Sequence, residues 1–135
     1  MLVIDASVVV KVLTEEVGSD LATDRLALEP ERIGPDWLSV EIASALSKKV
    51  RYAGLPADVA EKYLAALPMI IPDLTPTLPL LPAALRLSIG LRHAVYDCLY
   101  LALAIDRDCA LLTADRKFFD TVASGEHGQR MELMA

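Results

Sequence analysis

Short, continuous apolar runs alternate along this chain with longer stretches whose apolar positions recur at helical spacing. Leu2 to Ile4 is an apolar run that predicts a strand. Ser7 to Leu13 follows with helical character, although Val8, Val9 and Val10 are β-branched and stiff at χ1 in a helix. A second helix is expected over Ser19 to Leu28, then a loop containing Pro30 and Pro35. Asp36 is placed to cap a long helix running to Tyr52, which Gly54 ends. Pro56 opens another helix to about Leu67, and Met69 to Ile71 reads as a second strand. The Pro-rich segment Thr75 to Pro82 leads into a helix ending near Gly90, with Pro79 and Pro82 tolerated only in its first turn. Ala94 to Ile105 is helical, Ala110 to Thr113 a strand, Arg116 to Ala123 a short helix and Met131 to Met134 a last strand. Strands alternating with helices predict a three-layer α/β/α sandwich with a mainly parallel sheet, as one domain over residues 1–135.

The composition is that of a packed globule: 54% hydrophobic and 24% charged. Nothing reaches the roughly 18 uninterrupted apolar residues of a membrane span. The start, MLVIDASVVV, lacks a basic segment and carries an acid inside its apolar run, a poor secretory signal. A cytoplasmic location is therefore expected, with Cys98 and Cys109 as two buried free thiols in apolar surroundings that lack metal-ligand spacing. The net charge of −6 weighs against a generic nucleic-acid binder. Setting aside four carboxylates as candidate metal ligands reduces it from −6 to −2, so a polyanionic substrate stays open.

Those four acids occupy unusual places. Asp97 is the only charged side chain between Ala94 and Ile105, and its helical neighbours Tyr100, Leu101 and Ala104 are largely apolar. An ionised carboxylate there is costly unless a cation or donors compensate it. Asp5 directly follows the first strand, and Asp115 follows the Leu111-Leu112-Thr113 strand at a helix start. The carboxyl ends of strands form the ligand-binding edge of open α/β sheets. Glu41 lies on the long helix, on an edge shared with Ala45, Lys48 and Tyr52. Singly, Asp5 and Asp115 read equally well as helix N-caps and Glu41 as a solvated helix residue. Together they predict a metal site, because clustered carboxylates repel one another unless a cation joins them. Hard oxygen donors suit Mg2+ or Mn2+.

Four stretches carry a family resemblance: VIDASVVVKVL around Asp5, SVEIASALSK around Glu41, VYDCLYLALAI around Asp97 and LLTADRKFF around Asp115. In this order and spacing the chain resembles the PIN-domain nucleases, specifically the VapC-type toxins of prokaryotic toxin–antitoxin pairs. The Thr75 to Pro82 segment is atypical of that pattern. The resemblance implies a PIN-like fold and a Mg2+- or Mn2+-dependent endoribonuclease, the toxin of a type II pair. It also implies a homodimer inhibited by a small cognate antitoxin. Asp5, Glu41, Asp97 and Asp115 would then be both metal ligands and catalytic residues, with a metal-activated water attacking the scissile phosphate. Ser7 and Thr113 would hold carboxylates or water from behind, or serve only as a helix cap and a strand-end residue.

Weaker candidates surround these. Lys11 either reaches a substrate phosphate or snorkels at the surface. Lys48, Lys49 and Arg51 either border an RNA groove or form a solvated helix end, and Arg116 binds RNA, meets an antitoxin carboxylate or lies idle at the surface. His93 and His127 fall in expected loops and receive no catalytic role. Trp37 is assigned to the core or to a partner surface. Of the rival classes, a haloacid-dehalogenase-like phosphatase needs an acid where Ser7 stands, and a receiver domain needs adjacent acids after the first strand. A PIN fold kept as an inactive binding module is the stronger alternative.

Overall fold

The computed structural model describes residues 1–134. Five parallel strands form one sheet in the order β3-β2-β1-β4-β5: β1 (Leu2–Ile4), β2 (Arg32–Pro35), β3 (Asp73–Thr75), β4 (Ala110–Thr113) and β5 (Met131–Leu133). β1 is central and all its residues are buried, as expected for a strand covered on both faces. Its register sets Leu2, Val3 and Ile4 beside Ala110, Leu111 and Leu112.

The helices are α1 (Ala6–Leu13), α2 (Ser19–Ala27), α3 (Trp37–Ala53), α4 (Ala57–Ala65), α5 (Leu67–Ile70), α6 (Leu81–Leu91), α7 (Val95–Arg107) and α8 (Arg116–Ala123). Strand order runs outward from β1 to β3, then jumps back to β4 and β5. With right-handed crossovers, α1 to α5 cover one face and α6 to α8 the other, which gives the three-layer α/β/α sandwich. The reversal falls between β1 and β4, the topological switch point where such sheets bind ligands. Among the described residues, no helix is long and apolar enough to cross a membrane.

Two strand assignments need correction. The expected loop around Pro35 contains β2, whose Arg32-Ile33-Gly34-Pro35 has too little apolar periodicity to read as a strand. Met69 to Ile71 is not a strand: Met69 and Ile70 close α5, Ile71 is its buried C-cap, and the strand is β3. Asp36 precedes α3 without capping it. Its Oδ1 accepts from the Thr77 amide at 3.0 Å and from the Thr77 hydroxyl, while that hydroxyl accepts from Trp37 N at 2.9 Å. Gly54 ends α3 in the left-handed region (φ 75°), the conformation that favours glycine. Cys98 is buried, Cys109 only half-buried, and both are free thiols.

Candidate active site

Asp5 leaves the end of β1 at the switch point, its amide still bonded to Leu112 O of β4 at 3.0 Å. The residue is 3% exposed, yet its Oδ2 has two hydroxyl donors: Thr113 at 2.6 Å and Ser7 at 2.8 Å. Each hydroxyl reaches further, because Ala114 N donates to Ser7 Oγ at 2.9 Å and Asp115 N to Thr113 Oγ1 at 3.0 Å. Ser7 and Thr113 therefore fix the carboxylate and the β4–α8 turn in one network. Burial pushes the Asp5 carboxyl up to about 6; the Thr113 hydrogen bond opposes this, the Asp97 charge adds to it and the Ser7 bond opposes it.

Glu41 enters from α3. Fully buried Tyr100, one turn after Asp97 on α7, donates its hydroxyl to Glu41 Oε1 at 2.9 Å. Burial drives Glu41 up to about 7, against the Tyr100 hydrogen bond, and the charges of Asp5 and Asp97 push the same way as burial. Burial and the neighbouring Glu41 drive the Tyr100 phenol strongly upward, so it remains a protonated donor.

Asp97 lies in the first turn of α7, where the helix dipole favours an anion. Its Oδ2 meets His93 Nε2 at 2.5 Å. His93 is held in turn: its amide donates to Ser88 O at 3.2 Å, Ser88 Oγ donates to His93 O, and its ring stacks on Phe118 with centroids 5.0 Å apart. Sequence reasoning assigned His93 no role. The available signal was its i−4 spacing to Asp97, hidden because Arg92 bends the chain through the left-handed region (φ 54°) before α7 begins.

Asp115 performs the ordinary task proposed for it as well: it is the N-cap of α8, its Oδ1 accepting from Phe118 N at 3.2 Å. It joins the other acids through Thr113. Asp5, Glu41 and Asp97 thus face one another electrostatically, and Asp115 stands at their edge. Lys11 is engaged elsewhere, bonding Val17 O at 2.9 Å and pairing with Glu16, which also pairs with Lys49 at 2.8 Å. Arg51 lies over the Tyr52 ring, 4.9 Å from its centroid.

No Lys or Arg forms an ion pair with Asp5, Glu41 or Asp97 among the described residues. Nor do any three His, Cys, Asp or Glu side chains among them stand close enough to cage an ion as they are. The donor chemistry nevertheless fits a hard divalent cation: carboxylate oxygens, those of Asp5 and Glu41 raised in pKa by burial and neighbouring acids, with no Lys or Arg among the described residues to compensate them.

A family model described as PIN domain matches residues 2–124. The chain belongs to the PIN-domain family. Its similarity within that family is to VapC: it is 34% identical over 117 residues to Ribonuclease VapC1 of Mycobacterium tuberculosis. That alignment covers 85% of this chain and 86% of the relative. The proteins of that name from strains CDC 1551 / Oshkosh and ATCC 25618 / H37Rv match equally. In this VapC-type PIN domain the matched region holds all four acids and both hydroxyl residues, together with His93 and Tyr100.

Proposed function

We propose that this PIN domain is a Mg2+- or Mn2+-dependent endoribonuclease, the toxin of a type II toxin–antitoxin pair. The observation that carries the reading is the mutual charge repulsion of Asp5, Glu41 and Asp97 near the switch point, with no Lys or Arg among the described residues paired to any of them. The likeness to Ribonuclease VapC1 supplies the substrate class.

Asp5, Glu41 and Asp97, with Asp115 at the edge, would hold one or two divalent ions. When bound, such an ion lowers the pKa of a water and neutralises charge developing on a phosphate. The chain's own residues supply the setting. Ser7 and Thr113 fix the orientation of Asp5, leaving Oδ1 free of both hydroxyls. Tyr100 keeps Glu41 turned toward the other acids. His93 holds one oxygen of Asp97, and burial keeps bulk water away from Asp5.

Partners follow from the same reading. A small antitoxin would combine an amphipathic helix with a basic side chain that competes for the acids. Self-association is supported by α6, along which Leu81, Leu85 and Ile89 recur at four-residue spacing and are 38%, 57% and 69% exposed. The deciding test is incubation with total RNA and Mn2+ or Mg2+, against chelator and Asp5→Asn controls. Metal-dependent fragments lost in both controls support the proposal; undiminished cleavage by Asp5→Asn overturns it.

A further inference from the structure

Trp37 and Tyr96 stack nearly parallel beside the acids, with ring centroids 5.6 Å apart and planes 10° from each other. They reach each other from opposite layers of the sandwich: Trp37 opens α3 one turn before Glu41, and Tyr96 immediately precedes Asp97 on α7. The Trp37 ring nitrogen is buried without a hydrogen-bond partner, so the indole forgoes its usual polar contact. Tyr96 is 53% exposed, unlike an aromatic placed only to fill a core. A groove of about 370 Å³ runs from this pair along α3 past Val40, Glu41 and Ser44 to Lys48. Lys48 lies two helical turns beyond Glu41, about 10 Å along the axis. Among the described residues it forms no ion pair.

Resting on the nuclease reading, we propose that this groove is the subsite for the nucleotide beside the scissile phosphate. Its base stacks on the Tyr96–Trp37 pair, and Lys48 takes a phosphate further along the strand. A flat aromatic surface next to an acid pair suits a planar base more than a peptide side chain. A free cation at the far end of the groove gives a polyanion a local contact that offsets part of the repulsion from a chain of net charge −6. Stacking of this kind tolerates any base, so the subsite selects single-stranded RNA, whose bases are free to leave the stack, over duplex.

Trp37 is the single tryptophan of the chain, so its fluorescence reports on the groove directly. The probes are a short single-stranded oligoribonucleotide of mixed sequence and the same backbone without bases, titrated in chelator, with KM and kcat then measured in Mg2+. The intact oligonucleotide should quench Trp37 and bind tighter than the abasic chain. Tyr96→Ala should weaken binding about 5- to 150-fold and raise KM far more than it lowers kcat. Tyr96→Phe should retain the wild-type behaviour, and Lys48→Ala should reduce the slope of log affinity against log salt by about one. Circular dichroism and sedimentation establish that each variant keeps its fold and assembly. RNA cleavage with unmoved Trp37 fluorescence, or with Tyr96→Ala indistinguishable from wild type, overturns the subsite and leaves the nuclease reading intact. Absence of both cleavage and binding overturns both. If Tyr96→Ala alters sedimentation but not RNA affinity, the aromatic pair is an interface between copies and the subsite is overturned.

Discussion

Tyr100 on α7 donates its hydroxyl to Glu41 on α3 across 2.9 Å, joining helices from opposite layers of the sandwich at the point where their acids approach. A donor that cannot ionise in the working pH range is suited to this position. It satisfies one oxygen of a half-buried carboxylate and adds no positive charge that would displace a metal ion.

Asp5→Asn and Asp97→Asn should each abolish metal-dependent RNA cleavage without unfolding the protein. An amide keeps the shape and removes the ligand charge. Mg2+ or Mn2+ should raise the melting temperature of the wild type by several degrees and that of Asp97→Asn much less. Equal shifts in both proteins would argue against a specific site.

The raised carboxyls make a signed prediction for the metal-free protein. A folded pKa above the unfolded one favours the protonated folded form, so the contribution is present at low pH and is lost as pH rises. For Asp5 the loss runs from about 3.8 to about 6, and for Glu41 from about 4.5 to about 7. In chelator, Asp5→Asn should therefore be more stable than wild type at neutral pH, by up to about 3 kcal/mol for a carboxyl raised from 3.8 to about 6. The advantage should shrink toward pH 4. Paired chemical denaturation at several pH values measures it, and the difference cancels acids such as Glu16 and Glu132, whose lowered pKa values act oppositely.

Thr113→Val keeps the shape of a fully buried residue but removes the largest opposition to the rise in Asp5. It also leaves Asp115 N without its acceptor. Stability should fall by about 1–3 kcal/mol, and the Asp5 titration should move upward. Denaturant unfolding and carboxyl NMR would register the two effects separately.

His93→Ala should weaken divalent-ion affinity about 10- to 100-fold, because Asp97 loses the group that orients it. Titration calorimetry with Mn2+ reads this directly. Unchanged affinity would reduce His93 to a packing partner of Phe118.

On the proposed toxin reading, expression of the chain alone should arrest growth, and co-expression of a small antitoxin that binds it should restore it. Harmless expression of a folded, RNA-inactive protein would favour the inactive binding module.

The sheet was legible where burial leaves continuous apolar runs, as in Leu2–Ile4 and Ala110–Thr113. β2 escaped because Gly34 and Pro35 read as turn formers. Gly34 is there for closeness: a Cβ would come within 3.0 Å of Leu38 Cδ2 on α3. β3 was displaced because Ile71 is apolar for burial beneath the sheet edge rather than for strand pairing. Asp5 and Asp97 stood out because an acid within an apolar run has few inexpensive explanations. His93 did not, since its contact depends on the backbone turn at Arg92. Trp37 and Tyr96 were invisible as a pair because no sequence period links positions on different layers.

Asp5 and Thr113 are 108 positions apart, and they meet only when β4 docks against β1. During synthesis, Asp5 and Glu41 are made well before the strand that completes their surroundings, whereas Asp97 precedes it by only about a helix length. A growing chain therefore carries Asp5 and Glu41 without an assembled centre until the second half of the molecule has been made. If the chain cuts RNA as proposed, it can do so only once the segment around Asp115 has been made and β4 has docked.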